Sequence, residues 1–258
     1  MRVRAPIPDL APGERRLRGA IAHYLARVLR LRAGDAFVAF DPATGRESDG
    51  VAVEEDGGGV TVRFGPLRQG ARPPEREITL VQGLAKGDKC DGIVRDATEL
   101  GATRVIVATT LRAVVKLDAS RAAQRQARWA RIAREAARQC GRSEAPRVDA
   151  PCAWEAALGL VPEPAARFCL WERATEPLAP ALLQALAGRV PLAFACGPEG
   201  GLDEAEVRRA RDMGWSVASI GPLVLRTETV AAAVLGAVRV WSALEDAPSA
   251  EPLLERGV

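Results

Sequence analysis

The chain has 258 residues, 48% of them hydrophobic, a formal net charge of +3 and five cysteines. That length buries one or two good cores, no apolar run approaches a membrane span, and an odd cysteine count without a C-x-x-C pair argues against both a disulfide framework and a zinc site. The opening residues, Met1-Arg2-Val3-Arg4-Ala5-Pro6, lack the apolar core of a signal peptide, so a cytoplasmic location is expected, and a charge of +3 does not by itself announce a nucleic-acid binder.

An early helix is expected around His23 and Tyr24, with Arg15, Arg16, Arg18, Arg27, Arg30 and Arg32 clustered about it as a face able to track phosphates. His23 is the sole histidine, and beside apolar residues a lone histidine is more often a satisfied structural group than a catalyst. Ala36 to Phe40, Gly50 to Val53 and Val60 to Phe64 are short β-like runs between Asp-Pro, Gly-Arg and Gly-Gly-Gly turns, which predicts a small antiparallel barrel or meander. Gln69-Gly70-Ala71-Arg72-Pro73-Pro74 reads as a linker. From Ile78 onward apolar runs alternate with helical patterns. Strands are expected at Ile78 to Leu84, Val105 to Ala108 and Phe168 to Trp171, with helices near Cys90 to Leu100, Ala122 to Gln139 and Leu178 to Ala187. This alternation predicts a mostly parallel sheet covered on both faces. Arg121, Arg125, Arg128, Arg131, Arg134, Arg138 and Arg142 recur largely at helical spacing, either as a basic stripe or as the solvated face of an amphipathic helix. The tail from Glu245 to Val258, with two prolines and several charges, is expected to fray.

Two bends in the last third carry the chemistry. Pro191 to Cys196 reads as a buried strand, Gly197-Pro198-Glu199-Gly200-Gly201 as a turn, and Asp203 with Glu206 has the capping-box spacing that opens a helix through Val207 and Ala210. Three glycines and a proline in five residues let main-chain groups approach a ligand, although a tight turn without a ligand uses the same residues. The carboxylate of Glu199 is a poor neighbour for phosphate, and neither G-x-G-x-x-G nor G-x-x-x-x-G-K-[ST] occurs, so a cationic or neutral ligand fits better. Trp215 to Ile220 reads as a further strand broken by Gly221-Pro222, and Thr229 to Leu244 as a buried helix that Thr227 can cap. Glu228 suits the positive end of that helix. Arg226 does not, which points to an anionic substrate or a solvated surface arginine. Cys196 beside the turn is better read as packing than as a nucleophile.

These two bends, joined by Ile220-Gly221-Pro222, resemble the C-terminal signature of the SPOUT-class RNA methyltransferases that modify N3 of one uridine in small-subunit (16S) ribosomal RNA. Further matching blocks follow in the same order: His23-Tyr24-Leu25, Val28 to Arg32 with Gly34-Asp35, Lys86-Gly87-Asp88-Lys89, Glu99-Leu100-Gly101, Arg112 with Val114-Val115-Lys116, and Arg128-Trp129 through Gln139 and Arg142. Two departures are Thr110-Leu111-Arg112, where the family usually has a Ser-Glu-Arg-Ser run, and Cys196, where an aliphatic residue is common.

The resemblance implies an α/β protein: a PUA-like RNA-binding β-barrel over residues 1–72, then a SPOUT methyltransferase domain over 73–258 with a C-terminal trefoil knot and homodimers formed through it. It implies S-adenosyl-L-methionine as cofactor, no metal, and 16S rRNA or the small ribosomal subunit as partner. The cofactor would be held by Leu170, Trp171, Glu172, Gly197, Pro198, Glu199, Gly200, Gly201, Ile220, Gly221, Leu223, Leu225, Arg226, Thr227 and Thr229. RNA contacts would fall to His23, Arg27, Arg30, Arg32, Lys86 and Arg112. Arg226 and Arg142 are candidates for holding O2, O4 or a phosphate, and Glu199 and Glu228 for accepting the N3 proton. The competing reading is a non-catalytic rRNA-binding ribosome-assembly protein, which would bind with steep salt dependence and leave the RNA unmodified.

Overall fold

The computed structural model describes residues 3–41, 44–55, 58–70, 76–113, 118–142 and 144–245. The expected fraying tail beyond Glu245, most of the expected linker and the Val114-Val115-Lys116 block lie outside the described residues. The chain divides into two compact units, Met1–Pro73 with Ala133–Ala145, and Pro74–Ile132 with Pro146–Val258.

The first unit comprises β1 (Arg4–Pro6), β2 (Gly13–Arg18), α1 (Gly19–His23) running into a π-helical turn at Tyr24–Val28, β3 (Ala36–Phe40), β4 (Arg46–Glu55), β5 (Gly59–Phe64) and β6 (Arg68–Gln69). Among the described residues these strands form one six-stranded sheet in the order β1-β3-β4-β5-β2, with β6 on β4. The expected antiparallel runs are present, joined by a parallel β1–β3 pair. Alternation drives the packing. Val60, Val62 and Phe64 of β5 are buried with Leu17, Leu25 and Phe37, and Phe37 meets Phe64 edge to face at 6.5 Å. Of the early arginines expected around the first helix, Arg15, Arg16 and Arg18 stand on β2, which runs directly into α1, and Arg15 donates to the carbonyls of Pro8 and Asp9.

The second unit comprises β7 (Ile78–Gly83), α2 (Lys89–Glu99), β8 (Arg104–Thr109), α3 (Ala119–Cys140), β9 (Arg147–Val148), β10 (Cys152–Ala153), α4 (Trp154–Gly159), β11 (Ala166–Leu170), α5 (Leu178–Ala187), β12 (Leu192–Cys196), α6 (Glu204–Asp212), β13 (Ser216–Ala218) and α7 (Thr227–Glu245). The last turns of α3 are counted with the first unit. The strands form a parallel sheet in the order β10-β8-β7-β12-β11-β13, with β9 on β8. Strands covered on both faces read as continuous apolar runs, which is why β7 and β12 show no two-residue alternation. Ala193 and Ala195 pack on one face with Trp154, Leu158, Val207 and Trp215, while α7 lies against β12 and α2. Phe168 stacks on Phe194 at 5.7 Å.

The arginines of α3 do not form an unbroken stripe. Arg125 donates to the Gly87 carbonyl (3.0 Å), Arg128 to Asp91 (2.7 Å), and Arg138 lies over the Tyr24 ring, so distant partners consume the cations that the spacing lined up. Among the described residues no helix is long and apolar enough to cross a membrane, and no group of three or more His, Cys, Asp and Glu could hold a metal.

Candidate ligand cavity at the strand ends

The carboxyl ends of four strands stand level: Gln82 of β7 lies opposite Cys196 of β12, Cys196 opposite Leu170 of β11, and Leu170 opposite Ala218 of β13. From β7 the sheet grows outward through β8, then fills the other side with β12, β11 and β13. Open α/β sheets bind ligands beyond the strand ends where the order reverses. A cavity of about 420 Å³ opens there, within the size range of small-molecule sites.

The first bend is built by local chemistry. Asp203 accepts from the Ala205 N–H (3.0 Å) and Glu206 from the Asp203 N–H (2.9 Å), so the expected capping box opens α6. The second oxygen of Glu206 accepts from the Leu111 N–H (2.8 Å), which docks the 110–113 segment on the turn. Arg112 then straps it, donating to the Gly200 carbonyl (3.4 Å) and to Asp203 (3.2 Å). In the turn itself Gly201 takes φ +71°, and a Cβ on Gly197 would stand 2.9 Å from the Gly201 carbonyl carbon. These glycines close the turn on itself before any ligand arrives.

The second bend is tied to the first. Thr227 was expected to cap α7, but it lies in the helix and its Oγ1 donates instead to the Gly197 carbonyl (2.6 Å) and accepts from Gln82 Nε2 (2.8 Å). The expected strand to Ile220 is shorter, ending at Ala218, because the Ser219 N–H turns to Glu176.

A cation joins the two bends at the cavity wall: Lys89 Nζ lies 3.1 Å from Glu199 and 3.5 Å from Glu228. Burial pushes the Glu199 carboxyl up, but hydrogen bonds from its own N–H, from Lys89 and from the Lys86 N–H outweigh that and hold it below its ordinary value. The hydrogen bond to Glu199 raises the Lys89 ammonium in turn. A depressed carboxyl contributes stability above its unfolded pKa and loses it as pH falls through the folded one, and a raised ammonium loses its share as pH climbs through its own, so this clasp loosens in acid and in strong alkali and holds between. Lys89→Met is expected to move the Glu199 titration upward, which carboxyl NMR reads; an unmoved midpoint would contradict the clasp. Cys196 is buried beside this site, its thiol pushed up to about 12 by burial, with Sγ donating to Gln82 Oε1 (3.0 Å), as suits packing rather than nucleophilic attack.

Of the residues expected at the cofactor, Leu170, Trp171 and Glu172 line one wall, Gly197, Pro198, Glu199, Gly200 and Gly201 another, and Ile220, Gly221, Leu223, Leu225, Arg226 and Thr227 the third. Thr229 does not line it and is exposed on α7. Glu228 adjoins it through Lys89. Arg226 is exposed with no side-chain hydrogen bond or ion pair among the described residues. Arg142 is buried in the first unit and is not part of this cavity. His23 and Arg27 are exposed on a separate hollow of the first unit, Arg30 and Arg32 are exposed nearby in sequence, and Lys86 is exposed with its N–H on Glu199. Sequence reasoning missed Lys89 and Gln82. Lys89 stood in the Lys-Gly-Asp-Lys block, and Gln82 was a polar residue in an otherwise apolar run.

The walls mix main-chain polar groups with Leu170, Leu202, Ile220 and Leu225, and carry Glu172 and Glu199. The indole N–H of Trp171 is buried with no acceptor among the described residues. Apolar walls, main-chain polar groups and the Glu172 carboxylate, which has no ion pair among the described residues, fit a small molecule with an apolar body and a cationic group better than a nucleoside polyphosphate. Fold and cavity thus define an α/β small-molecule-binding protein of the backbone-cradle kind.

The RNA methyltransferase domain family matches residues 72–239, and an RNA methyltransferase PUA domain matches residues 17–48. The chain belongs to this RNA methyltransferase family. It is 35% identical over 166 residues to the ribosomal RNA small subunit methyltransferase E of Bacillus subtilis, covering 63% of this chain and 65% of that protein. The protein of that name from Mycobacterium bovis is 34% identical over 233 residues, 88% of this chain and 87% of its own. The crystal structure of a ribosomal RNA small subunit methyltransferase E from Neisseria gonorrhoeae bound to S-adenosyl methionine superposes with a TM-score of 0.81 at 26% identity, covering 93% of this chain and 98% of that one.

Proposed function

We propose that this protein transfers a methyl group from S-adenosylmethionine to N3 of a uridine in 16S ribosomal RNA. The observation that carries the reading is that the glycine turn and the Leu225–Thr227 bend line a single cavity at the strand ends. The named relatives are small-subunit rRNA methyltransferases, which supports the substrate. The resemblance supplies the base and the atom, the division into a PUA-like barrel over 1–72 and a SPOUT domain over 73–258, the trefoil knot, the homodimer and the cytoplasmic setting.

The cofactor, when bound, supplies the methyl group and a cationic leaving group. The chain supplies position and charge. Residues 197–201, 220–221 and 223–227 line the cavity, and Glu172, which has no ion pair among the described residues, puts a carboxylate in its wall that favours a sulfonium, while Glu199 is balanced by Lys89. N3 becomes nucleophilic on losing its proton, leaving charge on O2 and O4. Arg226, exposed at the rim and without a side-chain partner among the described residues, offers a planar pair of donors to that anion. Glu199, held ionised by Lys89, is a weak proton acceptor, and Glu228 shares the same ammonium. A base stacked in a duplex hides N3, so the uridine is taken unpaired or flipped.

Mass mapping of 16S rRNA fragments from cells with and without the gene is expected to show one added methyl on one uridine, present only with the gene. Identical maps would overturn the reading in favour of a non-catalytic RNA binder. Light scattering is expected to give twice the chain mass, with Trp241→Glu on α7, whose side chain is 37% exposed beside the more open Val240, giving monomers; a wild-type monomer would refute the dimer.

A further inference from the structure

We infer that Gln82 is a positioning residue that sets the spacing between the two bends and thereby the affinity for the cofactor, an inference that rests on the cavity being the S-adenosylmethionine site. Gln82 is the penultimate residue of β7 and is 1% exposed. The two N–H protons of its Nε2 serve three acceptors, the Gly83 carbonyl (2.9 Å), Thr227 Oγ1 (2.8 Å) and, at the longest distance and so through a shared proton, the Gly197 carbonyl (3.3 Å), and its Oε1 accepts from Cys196 Sγ (3.0 Å). Thr227 Oγ1 donates on to the same Gly197 carbonyl at 2.6 Å. One amide therefore holds the first residue of the glycine turn and the first residue of α7 against the end of a central strand.

The orientation of the amide is dictated by chemistry. A flipped amide would face its oxygen to the Gly197 carbonyl, two acceptors with no proton between them. Cys196, paired in register with Gln82, supplies the donor that the amide oxygen needs. The network is complete only when β7, the turn after β12 and the start of α7 are all in place. Removing the amide leaves the Thr227–Gly197 bond intact, so the bends survive but their distance from β7 is no longer set.

The test compares wild type, Gln82→Leu and Gln82→Glu by titration calorimetry with S-adenosylmethionine from pH 5 to pH 8, and by melting without ligand. Gln82→Leu is expected to weaken binding about tenfold or more at every pH while keeping a cooperative melt. Gln82→Glu is expected to bind near wild-type strength at pH 5, where the buried carboxyl keeps its proton and can donate, and to lose affinity as pH rises and the proton leaves. The wild type should be flat over this window. If both variants bind like wild type, or melt lower with affinity unchanged, the inference is overturned and Gln82 only supports the fold. If the wild type itself shows no binding, the reading of the cavity fails and takes the inference with it.

Discussion

Gly200→Val is expected to weaken S-adenosylmethionine binding about 5- to 150-fold in calorimetry, and to lower methylation in the same proportion at limiting cofactor. A Cβ on Gly200 would stand 3.2 Å from both the Cβ and the carbonyl oxygen of Arg112, and the two γ carbons of valine reach further. Arg112 cannot yield freely, because the preceding Leu111 N–H is bound to Glu206 and the guanidinium to Asp203. The turn gives instead, and it is itself a cavity wall. Overpacking of this kind costs about 1–3 kcal/mol, and each 1.4 kcal/mol is tenfold in affinity. Gly200→Ala, with no γ carbons, should lose less. Wild-type affinity in the valine variant, with its fold intact by melting, would show that the turn does not hold the cofactor.

Arg226→Ala is expected to lower kcat by about 10²–10³-fold, the usual cost of removing one donor from a developing anion, with cofactor affinity little changed. Arg226 stands just before α7, where the helix dipole disfavours a cation, and it has no side-chain partner among the described residues to repay that. A residue so placed stabilises little of the folded state, so its loss should appear in turnover rather than in melting. Arg226→Lys should restore only part of the rate, since an ammonium lacks the planar fork that spans two atoms of a base. Unchanged kcat in the alanine variant would remove Arg226 from the chemistry.

What was legible from the sequence was what depends on near neighbours. The capping box of α6 has both partners within three residues, and the helix appears where Asp203 and Glu206 place it. The apolar runs of β7, β8 and β12 read as buried parallel strands for the same reason. Six-residue α4 escaped because it is too short to show a helical repeat; it is anchored by Trp154, whose indole N–H donates to the Glu206 carbonyl (3.2 Å). Where partners lie far away, local rules fell short: Thr227 looked like a cap and became a bridge, and of the α3 arginines, which read equally as a stripe or as a solvated face, Arg121, Arg131 and Arg134 are exposed while Arg125 and Arg128 found separate partners. The residues that gather at the cavity were named from the resemblance, while Gln82 and Lys89, joined to the bends across the sheet, had no signal in spacing alone.

The Gln82 amide meets partners 115 and 145 positions downstream. A growing chain therefore has every strand of its parallel sheet synthesised before the last of those partners, since β13 ends at Ala218 and Thr227 follows it. Until Thr227 emerges, the Gln82 side chain lacks that hydroxyl acceptor and the glycine turn lacks its tie to the second bend. Contacts so remote in order form late and slowly. Nascent protein will thus be compact before it can recognise its small molecule, and a ligand present during translation acts on the final stage of assembly alone.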